Sequence, residues 1–94
     1  MIQKSARYTI KAGAEEPVLE AVREFVAAVA KNEPKTRYEA YRLDNGTSFI
    51  HFMEFQDAES EERHRGSDYT KRLVEALYPN CQEPPAFSDL ERIE

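Results

Sequence analysis

The feature that most constrains the fold is the Asn45-Gly46 pair, which lies between two predicted strands, 36–44 and 47–55. Asn-Gly supports the positive backbone dihedrals of a two-residue turn and is the strongest short-range signal for a β-hairpin. Such a loop places Asp44 opposite Thr47, and every other cross-strand pair follows from that register. The sequence therefore predicts two antiparallel strands whose facing residues are known.

The two sides of this hairpin are both apolar. One side carries the cross-strand pairs Tyr38–Met53, Ala40–His51 and Arg42–Phe49, with Phe55 beyond them. The other side carries Tyr41, Leu43, Ile50 and Phe52. Helices can cover only one of the two sides, and an uncovered apolar patch of this size usually marks an interface. We therefore predict a homodimer formed through the second side.

Helical patterns precede and follow the hairpin. Residues 15–31 carry an apolar stripe at helical spacing, formed by Val18, Val22, Phe25, Val26 and Val29. A second helix begins after Asp57, a good N-cap, breaks at Gly66 and continues from Ser67 to about residue 78. Short strands are predicted at 1–11 and 87–93.

The order of these elements is strand, helix, hairpin, helix, strand. This is the split β-α-β arrangement of ferredoxin-like folds, so we expect one α+β domain over residues 1–94 with a four-stranded antiparallel sheet. A domain of 94 residues has enough chain for one hydrophobic core.

Composition argues against several partners. The formal net charge is −5, which disfavours binding to nucleic acid and to anionic membranes. Residues 46–52 partly match RNP1, a motif of RNA-recognition domains, but they lack its basic residue and one of its stacking aromatic residues. There is no membrane-span-length apolar run and no signal-peptide h-region. Cys81 is the single cysteine, which excludes an internal disulfide and fits a reducing cytoplasm. The two histidines lack metal-ligand spacing, so no metal site is expected.

His51 is the main candidate for chemistry. The small Ala40 opposite the imidazole leaves room for a cavity between sheet and helices, where His51 is either a hydrogen-bonded core residue or a base or donor. His64 lies just before the Gly66 break, in a stretch without aliphatic or aromatic residues, and is expected to face inward with Ser60. Tyr38, Tyr69 and Arg42 are further candidates to line the cavity.

The stretch Phe-Ile-His-Phe-Met-Glu-Phe-Gln-Asp at 49–57, followed by His64, resembles the antibiotic biosynthesis monooxygenase family. Its specific part is an aromatic-rich strand ending in aromatic-x-Asp, then a helix with a histidine nine residues after the last aromatic. The resemblance covers nearly the whole chain and implies a dimeric α/β barrel. The family includes cofactor-free quinol and anthrone oxygenases and haem-degrading members, and the absence of tryptophan here weighs against haem degradation.

The resemblance implies a cofactor-independent monooxygenase for a small aromatic or quinol-like substrate. His51 would be its base or donor. The predicted substrate-binding residues are Tyr38, Arg42, Phe49, Met53, Phe55, His64 and Tyr69. The alternative is a non-catalytic dimeric barrel that binds a small metabolite or serves as a scaffold.

Overall fold

The computed structural model describes residues 1–94. Its strands are β1 (Ile2–Thr9), β2 (Arg37–Arg42), β3 (Ser48–Phe55) and β4 (Ala86–Asp89), and its helices are α1 (Glu15–Asn32), α2 (Ala58–Arg65) and α3 (Asp68–Leu77). A single 3-10 turn, Tyr78–Asn80, follows α3. The predicted β-α-β-β-α-β order is confirmed, with the second helix in two pieces.

The four strands form one antiparallel sheet in the order β2-β3-β1-β4. This is the ferredoxin-like arrangement, with β3 and β1 in the centre. The main core lies between one face of the sheet and helices α1 and α3, and joins the buried stripe of α1 to Leu73 and Leu77 of α3. The predicted fold class is therefore confirmed.

The hairpin register is confirmed, although its loop is wider than predicted. Ala40 pairs with His51, as the Asn-Gly signal requires. The last strand bond runs from the Leu43 N–H to the Ser48 carbonyl, so the loop spans four residues, 44–47, rather than two. Asn45 explains the difference, because its Oδ1 accepts the N–H groups of both Thr47 and Ser48 and holds the wider loop closed.

The break between α2 and α3 has the predicted caps. Asp57 accepts the Ser60 N–H at 2.8 Å and caps α2, which ends at Gly66. Ser67 then accepts the Thr70 N–H and caps α3. The break turns the last residues of α2 toward the sheet, and His64 is buried there as expected.

The last strand is shorter and earlier than the predicted 87–93. Asp89 pairs with Lys4, and the Leu90 N–H still reaches the Gln3 carbonyl at 2.9 Å. This register places Ile2, the first residue of β1, opposite Glu91. No partner strand therefore remains for Ile93, which is 87% exposed instead of packed. The first strand is likewise shorter than 1–11, since Ile10 makes only an isolated bridge with Cys81.

The second face of the sheet has no helix against it. Tyr41 and Leu43 are 54% and 45% exposed, and Ile50 and Phe52 are half-buried beside them. The apolar patch predicted from the hairpin register is therefore present. None of the helices combines the length and the apolar character that crossing a bilayer requires.

Candidate functional site

A cavity of about 410 Å³ lies between the sheet and the α2–α3 segment, on the face that carries His51. Its walls are mostly apolar and include Ala6, Phe25, Met53, Phe55, Leu73, Leu77 and Phe87. The polar groups on its surface are few: Tyr8, Tyr38, His51, His64, Thr70, Tyr78 and a charged group at one end. Small-molecule sites typically combine this size, an apolar lining and a few convergent polar groups.

His51 is held on both sides by tyrosine hydroxyls. Its Nε2 is 2.7 Å from the Tyr8 hydroxyl, and its Nδ1 is 2.7 Å from the Tyr38 hydroxyl. The three side chains come from adjacent strands, since β3 lies between β1 and β2 and the registers align Ala6 and Ala40 with His51. The imidazole is only 2% exposed.

The protonation state of this triad follows from its burial. Burial lowers the pKa of His51 to about 4, so the ring is neutral at pH 7. Burial also raises the pKa of Tyr8 and of Tyr38 above that of free tyrosine, so both phenols keep their protons. A neutral imidazole has one N–H and one lone pair. One tyrosine therefore donates to the ring, while the other accepts the ring N–H and keeps its own O–H for a ligand.

His64 forms a second polar group, built from three separate elements. Its Nδ1 is 2.8 Å from Glu33 Oε2, and the Tyr69 hydroxyl donates to the same carboxylate oxygen. Glu33 follows α1 directly and precedes Pro34, which ends the helix. The Glu33 side chain is 12% exposed, and its Oε1 is buried without a partner. Burial and the Glu33 hydrogen bond raise the pKa of Tyr69 to about 12.

A charged cluster marks one end of the cavity. Lys4 Nζ lies 2.5 Å from the Glu61 carboxylate and 3.6 Å from Asp89, and Arg65 reaches Glu61 at 3.5 Å. The hydrogen bond that Lys4 donates to Glu61 raises the pKa of Lys4. Asp89 and Arg65 are exposed, so this end faces solvent and is the natural entrance to the apolar interior.

A family model described as antibiotic biosynthesis monooxygenase matches residues 1–76. The chain belongs to the antibiotic biosynthesis monooxygenase family. One solved structure of an antibiotic biosynthesis monooxygenase aligns with a TM-score of 0.90 and 21% identity over the whole of both chains. Structures carrying the same family name from Caulobacter crescentus (TM-score 0.89, 20% identity, 99% of this chain and 90% of that one) and Nitrosomonas europaea (0.91, 16%, all of both) are similar.

These identities are low enough that the structural likeness concerns the fold alone. No curated protein matches the sequence.

The structure brings most of the predicted site residues to one place. Five of them line the cavity: Tyr38, His51, Met53, Phe55 and His64. Phe49 does not, because it is buried behind the triad with its ring stacked on Tyr8 at 5.2 Å. Arg42 is exposed at the end of β2. Tyr69 is not part of the cavity lining. It lies behind His64, donates to Glu33 and packs against Phe25.

Two polar residues of the site were not singled out from the sequence. Alternation along β1 puts Tyr8 on the same face as Ala6. The pairing of β1 with β3 is not fixed by a short turn, so no local pattern indicates the contact between Tyr8 and His51. Glu33 carries a weak signal. An acidic residue just after a helix C-terminus is disfavoured by the helix dipole, which indicates that it has partners elsewhere.

Proposed function

We propose that this protein is a cofactor-independent monooxygenase that binds a small aromatic or quinol-like substrate in the cavity beside His51. The observation that carries the proposal is the Tyr8–His51–Tyr38 triad at the wall of a mostly apolar cavity. The triad leaves one phenolic O–H free to bind an oxygen atom of the substrate, and Met53 and Phe55 offer flat apolar surface to its ring.

In this chemistry the substrate itself supplies the electrons. Removing a proton from the methylene of an anthrone-type ketone gives an electron-rich enolate that reduces O₂. The methylene becomes a carbonyl, one oxygen atom of O₂ stays on carbon, and the other leaves as water with the two hydrogens of the methylene. The carbon loses four electrons and the two oxygen atoms gain four, so no further reductant is required.

The triad suits the stabilisation of the enolate oxygen. A fixed O–H donor in a site without bulk water stabilises developing negative charge without having to reorient. Of the two roles predicted for His51, base or donor, the geometry favours the donor role, exerted through the tyrosines. Both ring nitrogens already have partners, and the lowered pKa makes the ring a weak base.

A non-catalytic metabolite-binding barrel is the second candidate. The observation that favours it is the same saturation of His51, because a fully hydrogen-bonded imidazole is also what a structural core histidine needs. In this reading the cavity binds an aromatic ligand and performs no reaction on it.

Oxygen uptake separates the two candidates. Chelator-treated protein should consume O₂ with an anthrone or a dihydroxynaphthalene. His51→Ala removes the ring that holds the donor tyrosine in place, so its rate should fall by up to about 10²-fold, the effect of losing an oxyanion donor. Arg23→Lys, on the exposed side of α1, is the control and should keep the wild-type rate. Wild-type protein that binds these compounds but consumes no O₂ would support the binding barrel instead.

A further inference from the structure

We propose that His64, oriented by Glu33, is the base that removes the substrate proton. This inference rests on the proposed function and assigns its missing step, since the triad around His51 supplies a donor but no base. It makes His64 a catalytic residue, whereas the sequence predicts only a substrate-binding role.

The hydrogen bond to Glu33 fixes the tautomer of His64. A carboxylate has no hydrogen to donate, so the 2.8 Å contact with Oε2 requires that Nδ1 carries the ring hydrogen. The lone pair of the neutral ring is then on Nε2. This nitrogen makes no hydrogen bond within the protein, although His64 is only 7% exposed and lines the cavity. A lone pair without a partner at a cavity wall is what a base needs.

Glu33 is the one charged residue that forms a hydrogen bond with His64. Its ring is otherwise enclosed by aromatic side chains at centroid distances of 4.9–6.3 Å, those of Phe25, Tyr38, Phe55 and Tyr69. In such a poorly solvated place an imidazolium requires an adjacent negative charge. The carboxylate is already in contact with the ring, so the proton can arrive without any side-chain movement.

The carboxylate is itself held in position from the other side. Tyr69 donates to Oε2, and the raised pKa of this phenol keeps its proton in place at pH 7. A base oriented by a carboxylate that is in turn fixed by a third group has the general logic of a catalytic triad. Tyr69, although outside the cavity, is therefore a positioning residue.

In this reaction His64 removes both methylene protons and returns each of them to an oxygen atom derived from O₂. Nε2 takes the first methylene proton and returns it to the oxygen adduct formed on carbon. It then takes the second proton as the carbonyl forms and hydroxide leaves, and that proton and the hydroxide give water. The ring returns to its starting state at the end of the reaction.

Proton removal can be measured without oxygenation. Under nitrogen in D₂O, wild-type protein should exchange the methylene hydrogens of anthrone for deuterium faster than buffer does, as followed by NMR. In His64→Asn the side-chain amide takes the place of Nδ1 and can still donate to Glu33, but no group replaces Nε2. This variant should lose about 10²–10⁴-fold of the exchange rate, the usual contribution of a general base, while binding anthrone with unchanged affinity.

Glu33→Gln is the second variant, because it keeps the size and removes the charge. It should reduce exchange by about tenfold or more and should leave anthrone binding intact. If both variants bind and exchange anthrone like the wild type, His64 is not the base, although the proposed function stands. If wild-type protein neither binds anthrone nor exchanges its methylene hydrogens, both the role of His64 and the proposed function are refuted.

Discussion

The rings of Tyr38 and His64 stack on each other, with centroids 5.6 Å apart and planes inclined by 24°. The hydroxyl of the same tyrosine is 2.7 Å from His51 Nδ1. Tyr38 thus contacts both histidines, one through its hydroxyl and the other through its ring face. The proposed donor and the proposed base are therefore placed relative to each other by one side chain from the edge strand β2.

Tyr38→Phe should destabilise the fold while leaving the stack with His64 in place. It removes the partner of a buried imidazole nitrogen, and an unpaired buried polar group costs about 1–3 kcal/mol. Urea unfolding monitored by circular dichroism measures the difference. Arg23→Lys, a change at an exposed position of α1, should alter stability by less than about 0.5 kcal/mol. Equal stabilities for the two variants would show that the hydroxyl of Tyr38 is not paired with His51.

The lowered pKa of His51 predicts a pH dependence of stability. The folded-state pKa is about 4, against an ordinary value of 6.5, so the unfolded chain binds more protons between these values. The contribution of His51 is complete above pH 6.5 and is lost as the pH falls toward 4. Over this window it amounts to on the order of 3 kcal/mol.

His51→Gln isolates this contribution from that of the carboxylates, which also titrate in acid. The free energy of unfolding should be measured at intervals from pH 7.5 to pH 4.5 for both proteins. The two curves should converge as the pH falls, because only the wild type carries the neutral imidazole between Tyr8 and Tyr38. Curves that stay parallel would mean that the pKa of His51 is the same in the folded and the unfolded protein.

The sequence was sufficient for those parts of the site that a local pattern determines. Asn45-Gly46 fixed the pairing of Ala40 with His51, and the polar stretch before Gly66 indicated that His64 turns inward. These contacts depend on a turn and on one helix, both of which are encoded within about ten residues.

The contacts that could not be predicted join distant parts of the chain. His51 lies 43 residues from Tyr8, and His64 lies 31 residues from Glu33. Both depend on how β1 and the end of α1 pack against the rest, and no short-range pattern determines that packing. Arg42 was predicted to line the cavity. Its face of the strand was predicted correctly, but it lies at the end of β2, beyond the cavity.

Ala6→Leu tests whether ligands occupy the cavity. Ala6 is 5% exposed on the cavity wall, with His51 and Phe87 as its cross-strand neighbours. The added carbons should fill space that a ligand needs, so the affinity for anthrone, measured by fluorescence titration, should fall at least about tenfold. Filling a cavity commonly adds about 0.5–2 kcal/mol of stability, so the fold should not be weakened.

Ala27→Leu on the exposed side of α1 is the matched control for this change. It adds the same carbons away from the cavity and should leave the affinity unchanged. Wild-type affinity in Ala6→Leu would place the ligand elsewhere on the protein.

The uncovered face of the sheet predicts that the protein forms a homodimer. Tyr41, Leu43, Ile50 and Phe52 form the apolar patch on this face, and Phe52 also lies under the Arg37 guanidinium at 5.1 Å. Phe52→Glu would place a carboxylate inside the proposed interface, where an unpaired buried charge is strongly unfavourable. Sedimentation equilibrium should give about twice the 10.9 kDa chain mass for the wild type and the chain mass for the variant.

Ala27→Glu carries the same added charge on the exposed side of α1 and should remain dimeric. It separates loss of the interface from a general effect of raising the net negative charge. A monomeric wild type at micromolar concentration would refute the dimer. A Phe52→Glu protein that stays dimeric would instead place the interface on another surface, and the apolar patch would then need a different explanation.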